Sequence, residues 1–560
     1  MNSDNARNAT RHLWRYGKSK KTEIAYGLIA LAVMLPLLGR GYILSLDMVF
    51  VPTLRVPDTV SSSYLFHALL AGLGHIMPSD IIQKIMLFSI LILSGIGAHR
   101  LLKDLADKKP TTDTTAAYVA GMLYMINPYT YSRFMAGQYS VLLGYAFLPF
   151  FARTLLQFLG APGARTMFPV MLWAVLISIV SVHSIGLVAV LSITGLGLAV
   201  WQHRQHRSQL QTLCAYSLGG LLIAAALSSY WLVPLLLGSS ETAQTIARFG
   251  TGDQQAFATL GGSVIGKLAN VVRLQGFWAE AHGQYALPQD RMPAWGLVAL
   301  AVWALVFAGG RRLWQQGRHA ETALFGSAAL AAVLVSVSGL SAWLMHLPLL
   351  AGYREPHKFV GLVALTFALF TGLGAAAILA RLTRRYGETT ASAGAGILLA
   401  LPLAFTPTMF WGFNGQLKPQ SYPSDWSAMN QRLNHDSSNF QVLFLPWHLY
   451  MPFEFTGRQI ANPARKFFDK PILVSDNPEF DDVSASSDPV IRKLDKVLAD
   501  ATKRQDLGKQ MSAHNIKYIL LAKDSDYEKY QYLDNQQDLH LLQETTTLKL
   551  YRNQAWRHEE

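Results

Sequence analysis

Cysteine is nearly missing. The 560-residue chain has one, Cys214, and it sits inside an apolar run. No intrachain disulfide can form, which excludes a small secreted scaffold held by staples. Charge is scarce as well: Asp, Glu, Lys and Arg make up 15% of the chain while 51% is apolar. That is too greasy for an ordinary water-soluble protein. The first apolar segment has no small-residue cleavage site after it, so a signal peptide is not expected. The last 150 residues contain neither a glycine-rich phosphate loop nor a metal-ligand spacing.

What charge there is lies unevenly. Up to residue 411 there are 30 Lys and Arg against 15 Asp and Glu, and beyond it 18 against 20. A nucleic-acid partner needs a basic soluble face, and the soluble part is slightly acidic, so no nucleic acid is expected. Orientation in a membrane accounts for the excess.

A membrane span takes roughly 17–25 apolar residues. Eleven are expected, at about 23–40, 81–100, 115–127, 139–159, 168–182, 184–201, 212–237, 293–310, 321–345, 359–380 and 391–411. The third, fifth and sixth are short. The fifth and sixth come from one run, Phe168 to Val200, divided at a bend placed at His183. Residues 1–22 form a basic tail, with Arg7, Arg11, Arg15, Lys18, Lys20 and Lys21 ahead of the first span. The positive-inside rule makes that tail cytoplasmic. The same rule puts the clusters at Arg311–Arg312 and Arg384–Arg385 inside only if the Phe168–Val200 run is two spans. An odd number of spans leaves residues 412–560 outside, beyond a 23–411 membrane domain in the cytoplasmic (inner) membrane.

The outer part changes character. Gln441–His448, Lys517–Asp524 and Thr547–Asn553 read as strands, and Asp488–Met511 has helical spacing. The fold class expected is therefore a polytopic α-helical membrane protein with a carboxy-terminal extracytoplasmic α/β domain.

Three outer loops hold the chemistry. The first, residues 40–80, sets Asp47 among Leu, Met, Val and Phe and also holds Asp58. An unpaired carboxylate at a membrane surface is expensive, so Asp47 is either a solvated loop residue or a base at the mouth of a cavity. The same loop contains Val60–Met77, whose Leu65, Leu69, Leu73 and Ile76 form one stripe after a serine-rich start. Such a helix suits the membrane interface or packs between spans. The second loop, residues 238–292, offers Trp278, Glu280, His282 and Tyr285 for a sugar-sized cleft or an aromatic belt. The third, Leu347–Phe359, bunches Arg354, Glu355, His357 and Lys358. Its cations would grip a lipid phosphate or would simply snorkel to the interface.

A basic tail, an acid just outside the first span, an amphipathic outer helix, short middle spans and a carboxy-terminal outer domain together resemble the GT-C glycosyltransferases. The phrases MINPYTYSRFMAGQYSVLLGYAFLPF (Met125–Phe150) and GYREPHKF (Gly352–Phe359) look like a prokaryotic branch that includes the catalytic half of arabinofuranosyltransferases. The resemblance implies a membrane enzyme that moves a sugar from a polyprenyl-phosphate donor to an envelope glycan, lipid or protein acceptor. It implies Asp47 as the catalytic base. Arg354, His357 and Lys358 would hold the donor phosphate. Asp58, Trp278, Glu280, His282, Tyr285 and Glu355 would shape the sugar and acceptor cleft. Many members pair two acids in the first outer loop; here the next acid is Asp58, which puts divalent-metal dependence in doubt. The Trp-Trp-Asp motif of oligosaccharyltransferases is unmatched, which disfavours transfer of a whole glycan to asparagine. A single acid suffices for the chemistry. A polyprenyl phosphate leaves without a proton when cations hold its growing charge, and one base then serves the acceptor hydroxyl. The rival classes are a lipid-linked glycan flippase or other transporter, a non-catalytic envelope-assembly scaffold, and an O-antigen polymerase or ligase. A transporter would show ionisable or broken segments at the midplane.

Overall fold

A computed structural model describes residues 21–106, 112–338, 343, 346, 350–477, 486 and 488–557. The basic tail before Lys21, Lys108 and Lys109, and the end of the expected ninth span lie outside them.

Seven of the described helices are long and apolar enough to cross a membrane. They are Ser79–Leu105, Tyr139–Gly160, Val182–His203, Arg207–Leu227, Trp295–Gln315, His319–Val337 and the run Pro356–Phe405. Shorter helices occupy the first, third and fifth expected spans: 21–34, Thr112–Met125 and Ala164–Val180. Thr112–Met125 is walled in, with Ala116, Ala117, Val119 and Ala120 inaccessible to solvent. A helix enclosed by protein need not match the bilayer thickness. The Phe168–Val200 run does break, but at Ser181, whose extended backbone (φ −158°, ψ 112°) separates Val180 from Val182. His183 is thus in the first turn of the following helix rather than at the bend. The tenth and eleventh expected spans share one helical stretch, Val360–Phe405, interrupted at Gly387 (φ 85°). Unbroken, its 46 residues would be roughly 70 Å long at about 1.5 Å per residue, about twice a hydrocarbon core. A backbone angle that L side chains rarely adopt supplies the break.

The helix of the first loop runs Tyr64–Gly74. Phe66 and Leu70 turn inward, while Leu65, Leu69 and Ile76 remain exposed at 45%, 60% and 77%. Three of the four residues of the expected stripe therefore face away from the protein, as a lipid-facing stripe does.

Beyond the last helix the chain forms a five-stranded sheet. From edge to edge the strands are Ile472–Leu473, Gln441–Leu445, Ile516–Ala522, Leu548–Asn553 and Leu539–Glu544. The first three are mutually parallel and the last two pair antiparallel. Val442 and Phe444 pack on one face of the sheet, Leu443 and Leu445 on the other. Burial on both faces explains why this strand reads as a continuous apolar run. The helix expected over 488–511 is two, Pro489–Ala499 and Leu507–Ser512, separated by a short turn at Ala501–Lys503. The edge strand Leu539–Glu544 is amphipathic and carries too weak a pattern to be foreseen.

This part is stitched to the loop of residues 40–80. Tyr42–Ile43 pairs antiparallel with Pro419–Gln420. Leu46 bridges Ile460, and the Ala461 N–H donates to the Leu46 carbonyl at 2.7 Å. The Tyr422 hydroxyl donates to the Phe50 carbonyl at 2.9 Å.

Helix Trp295–Gln315 crosses the Val360 helix through glycines. A Cβ at Gly309 would collide with the Phe370 carbonyl, and one at Gly374 with that of Leu305. Small residues let membrane helices approach this closely. Gly309→Val should lower stability by roughly 1–3 kcal/mol, the range for overpacking a tight contact. It should be read as a lower melting temperature of the detergent-solubilised protein.

Candidate active site

Asp47 sits at a crossing of three segments. Its own N–H donates to the Ala136 carbonyl at 3.0 Å. Gly137, at φ 73°, makes that approach possible, because a Cβ there would collide with Ser45 and Met48. The crossing delivers Gln138, whose amide nitrogen donates to Asp47 Oδ2 at 3.2 Å. From the carboxy-terminal part, the Tyr450 hydroxyl donates to Asp47 Oδ1 at 2.6 Å. Burial pushes the Asp47 pKa up, and the hydrogen bonds from Tyr450 and Gln138 oppose that rise. The Tyr450 phenol is itself raised by burial and by the Asp47 charge, so it stays neutral and donates.

Behind Asp47 lies a buried polar chain. The short helix Pro128–Met135 starts at a capping box of Asn127 and Thr130, with Pro128 at its first position. It presents Arg133, which is fully buried. Arg133 donates to Gln138 Oε1 at 2.5 Å, to Glu355 Oε1, and to His357 Nδ1 at 3.0 Å. Its guanidinium also stacks 4.1 Å from the Phe277 ring centroid. The other oxygen of Glu355 meets Lys358 Nζ at 3.1 Å. Burial alone would raise the Glu355 pKa, but Arg133 and Lys358 hold it well below the usual carboxylate range. His357 Nε2 donates to the Gln275 carbonyl at 3.0 Å. Both ring nitrogens are thereby used and the imidazole is the neutral Nε2–H form.

Arg354 is committed too. Its Nη1 lies 2.5 Å from Asp253 Oδ1, and its guanidinium is sandwiched 3.9 Å from the Phe249 ring and 4.3 Å from that of Phe257. The Gly250 N–H donates to the second oxygen of Asp253. This clip ties the short helix Thr251–Ala256 to the segment before the Val360 helix.

All of this surrounds a cavity of about 860 Å³. Asp47, Gln138, Arg354, Glu355, Lys358 and Tyr450 line it, and Trp231, Leu232, Leu235 and Ile246 give it an apolar flank. Asp47 and two of the three expected cations thus share one space. His357 does not: it is buried behind, a strut between Arg133 and Gln275 rather than a cation in the cavity. Trp278 lines the cavity. Glu280 is packed below it, accepting from Ser132 at 2.8 Å and from the Gly276 N–H at 2.8 Å, with its pKa pushed up by burial to about 7. Tyr285 is buried against Tyr131. His282 and Asp58 are exposed and outside the cavity lining. Among the described residues no three His, Cys, Asp or Glu side chains gather as metal ligands.

Four participants escape a reading of the sequence. Tyr450 and Gln138 are ordinary in composition, and Asp253 lies in a six-residue helix too short to leave a periodic pattern. Arg133 lies within Met125–Phe150, and a cation in so apolar a stretch is the available signal.

The family model of alpha-(1→3)-arabinofuranosyltransferases, N-terminal GT-C domain, matches residues 63–552. The chain belongs to this family. Asp47 precedes the matched stretch, whereas Arg133, Glu355 and Lys358 lie in it. Arabinofuranosyltransferase AftD from Mycobacteria has the same fold, with a TM-score of 0.68 at 15% identity over 96% of this chain. The match spans 40% of the AftD chain. Looser likenesses are to the oligosaccharyltransferase AglB from Archaeoglobus fulgidus, solved with an inhibitory peptide and a dolichol-phosphate (TM-score 0.48, 11% identity, 90% of this chain and 69% of that one). Another is to ArnT from Cupriavidus metallidurans bound to undecaprenyl phosphate (0.45, 11%, 94% and 97%). No curated protein sequence matches the chain.

Removing one partner from a buried ion pair strands the other. Arg133→Met should destabilise the protein by roughly 3–5 kcal/mol, seen as a large drop in melting temperature. Adding Glu355→Gln should restore part of it.

Proposed function

We propose that the chain is a membrane glycosyltransferase whose donor is a sugar on polyprenyl phosphate and whose reaction takes place at the outer face, with Asp47 as general base. The observation that carries the reading is the cavity that Asp47 shares with Lys358 and Arg354 beside an apolar flank. Membership of a GT-C glycosyltransferase family supports the reaction class.

In the proposed reaction an acceptor hydroxyl attacks the anomeric carbon of the donor. The carbon–oxygen bond to the acceptor forms as the bond to the phosphate oxygen breaks, and the acceptor proton passes to Asp47. The bonding electrons leave on the phosphate, whose gain of negative charge needs cations nearby. Lys358, steadied by Glu355, is one of these. Tyr450 and Gln138 occupy one lone pair on each oxygen of Asp47 and aim the remaining ones. The apolar flank would receive the first isoprene units. Given the family, an arabinofuranosyl donor is the first to assay. The acceptor would be an envelope glycan, lipid or protein. Residues 1–22 would be cytoplasmic and residues 412–560 extracytoplasmic, where the sheet-bearing part closes the outer mouth of the cavity.

The proton-accepting role predicts that Asp47→Asn lowers kcat by roughly a hundredfold to ten-thousandfold, the usual contribution of a general base. Donor binding, measured separately, should persist; an unimpaired variant would refute the assignment. Only ionised Asp47 accepts a proton, so kcat should rise with pH along a limb above the ordinary aspartate pKa of about 3.9. Tyr450→Phe removes a hydrogen bond to the ionised form and should move that limb further up.

A further inference from the structure

Charge accounting around the cavity leaves a gap. Arg354 is matched by Asp253. Arg133 and Lys358 share Glu355, and Asp47 adds a further negative group. The cations that the membrane part puts in this wall are thus engaged, Arg354 and Lys358 with acids and Arg248 with the Ser486 carbonyl at 2.9 Å. A phosphate that gains charge during the reaction needs a cation not already neutralised.

One lines the cavity from the other side. Arg465 belongs to the turn Ala464–Phe467 of the sheet-bearing part and lies in the cavity wall together with Asp47 and Lys358. It is exposed, and among the described residues it makes no hydrogen bond or ion pair. Its backbone is held in place. The Asn462 N–H donates to the Leu449 carbonyl at 2.7 Å, and Asn462 Oδ1 accepts from the Ala464 N–H at 3.0 Å. Ala461 is bonded to Leu46, the neighbour of Asp47. The stitch that locates the base therefore also locates Arg465. Lys466, next in the chain, is close enough to Asp47 for the two charges to interact.

We propose that Arg465 is a ligand of the donor phosphate, supplied to the membrane cavity by the carboxy-terminal part of the chain. The inference rests on the polyprenyl-phosphate reading above and deepens it. The lipid phosphate is held between Lys358 on the membrane side and Arg465 on the outer side. Arginine suits this place, because its planar fork meets two phosphate oxygens at once. The outer part is then a half of the binding site, and its position relative to the spans sets phosphate affinity.

The test uses the full chain in nanodiscs with farnesyl phosphate as the probe, and farnesol and inorganic phosphate as comparison ligands. Arg465→Ala should weaken farnesyl phosphate binding by about tenfold or more, as loss of one charge-assisted contact does. Arg465→Lys should recover part of the affinity, and farnesol binding should be the same in all three proteins. Lys503→Ala, at an exposed site on the same part, should bind like wild type. Inorganic phosphate at millimolar concentration should not displace the probe if the site takes a lipid headgroup; if it displaces the probe fully, the lipid assignment is overturned. Equal binding by wild type and Arg465→Ala overturns the role of Arg465 alone. Failure of wild type to bind farnesyl phosphate overturns the donor reading itself, and this inference with it.

Discussion

A buried carboxylate between two cations holds the site together. Glu355 is 5% exposed and Arg133 is fully enclosed, so neither charge has water to fall back on. Two ions removed from water recover their desolvation penalty only through good geometry and further hydrogen bonds. Here Gln138 and His357 each accept from the guanidinium, Phe277 covers it, and among the described residues Nε alone of its nitrogens has no partner. The pair joins residues 222 positions apart. It brings the two sequence phrases that carry the family resemblance, around Asn127–Gln138 and Gly352–Phe359, into one polar chain.

That chain runs to the surface of the cavity. Lys358, Glu355, Arg133, Gln138, Asp47 and Tyr450 are linked side chain to side chain, each by a hydrogen bond or ion pair. The members come from the loop of residues 40–80, the Pro128 helix and its exit, the segment before the Val360 helix, and the sheet-bearing part. In a low-dielectric surrounding each link of such a network is strengthened, and a polar atom left out of it, as Arg133 Nε is, is costly. Its members are anchored by backbone as well. Gly137 allows the loop that carries Asp47 to lie against Ala136, and Leu46 is paired with Ile460 and Ala461.

The electrostatics follow from this arrangement. Asp47 has hydrogen bonds but no direct ion pair, so burial prevails and its pKa rises. Glu355 has two cations in contact and is held ionised. Two acids in one cavity are thereby given opposite tendencies, one suited to taking up a proton and the other to staying charged and steadying a lysine. The environment of each, rather than its residue type, makes the difference.

Much of this was legible in the chain. Apolar runs announce membrane helices because backbone in lipid must bond to itself, and the strands at Gln441–Leu445 and Ile516–Ala522 announce themselves by unbroken apolar character. Asp47 and the Arg354–Lys358 cluster stood out because charge amid apolar residues is costly. Local pattern could not say which of those charges would meet a ligand. His357 and Arg354 were spent on Gln275 and Asp253, residues far away in sequence. Nor could it foresee Tyr450 and Arg465, which reach the site from a different part of the chain. The break at Gly387 and the bend at Ser181, two residues before the expected one, are local backbone turns that apolar periodicity does not mark. Hydrophobic periodicity is a property of neighbours along the chain, so the sequence by itself determined the helices, the main strands and the candidate charges. Pairing is a property of neighbours in space, so only the tertiary structure decided which charges neutralise each other and which face the cavity.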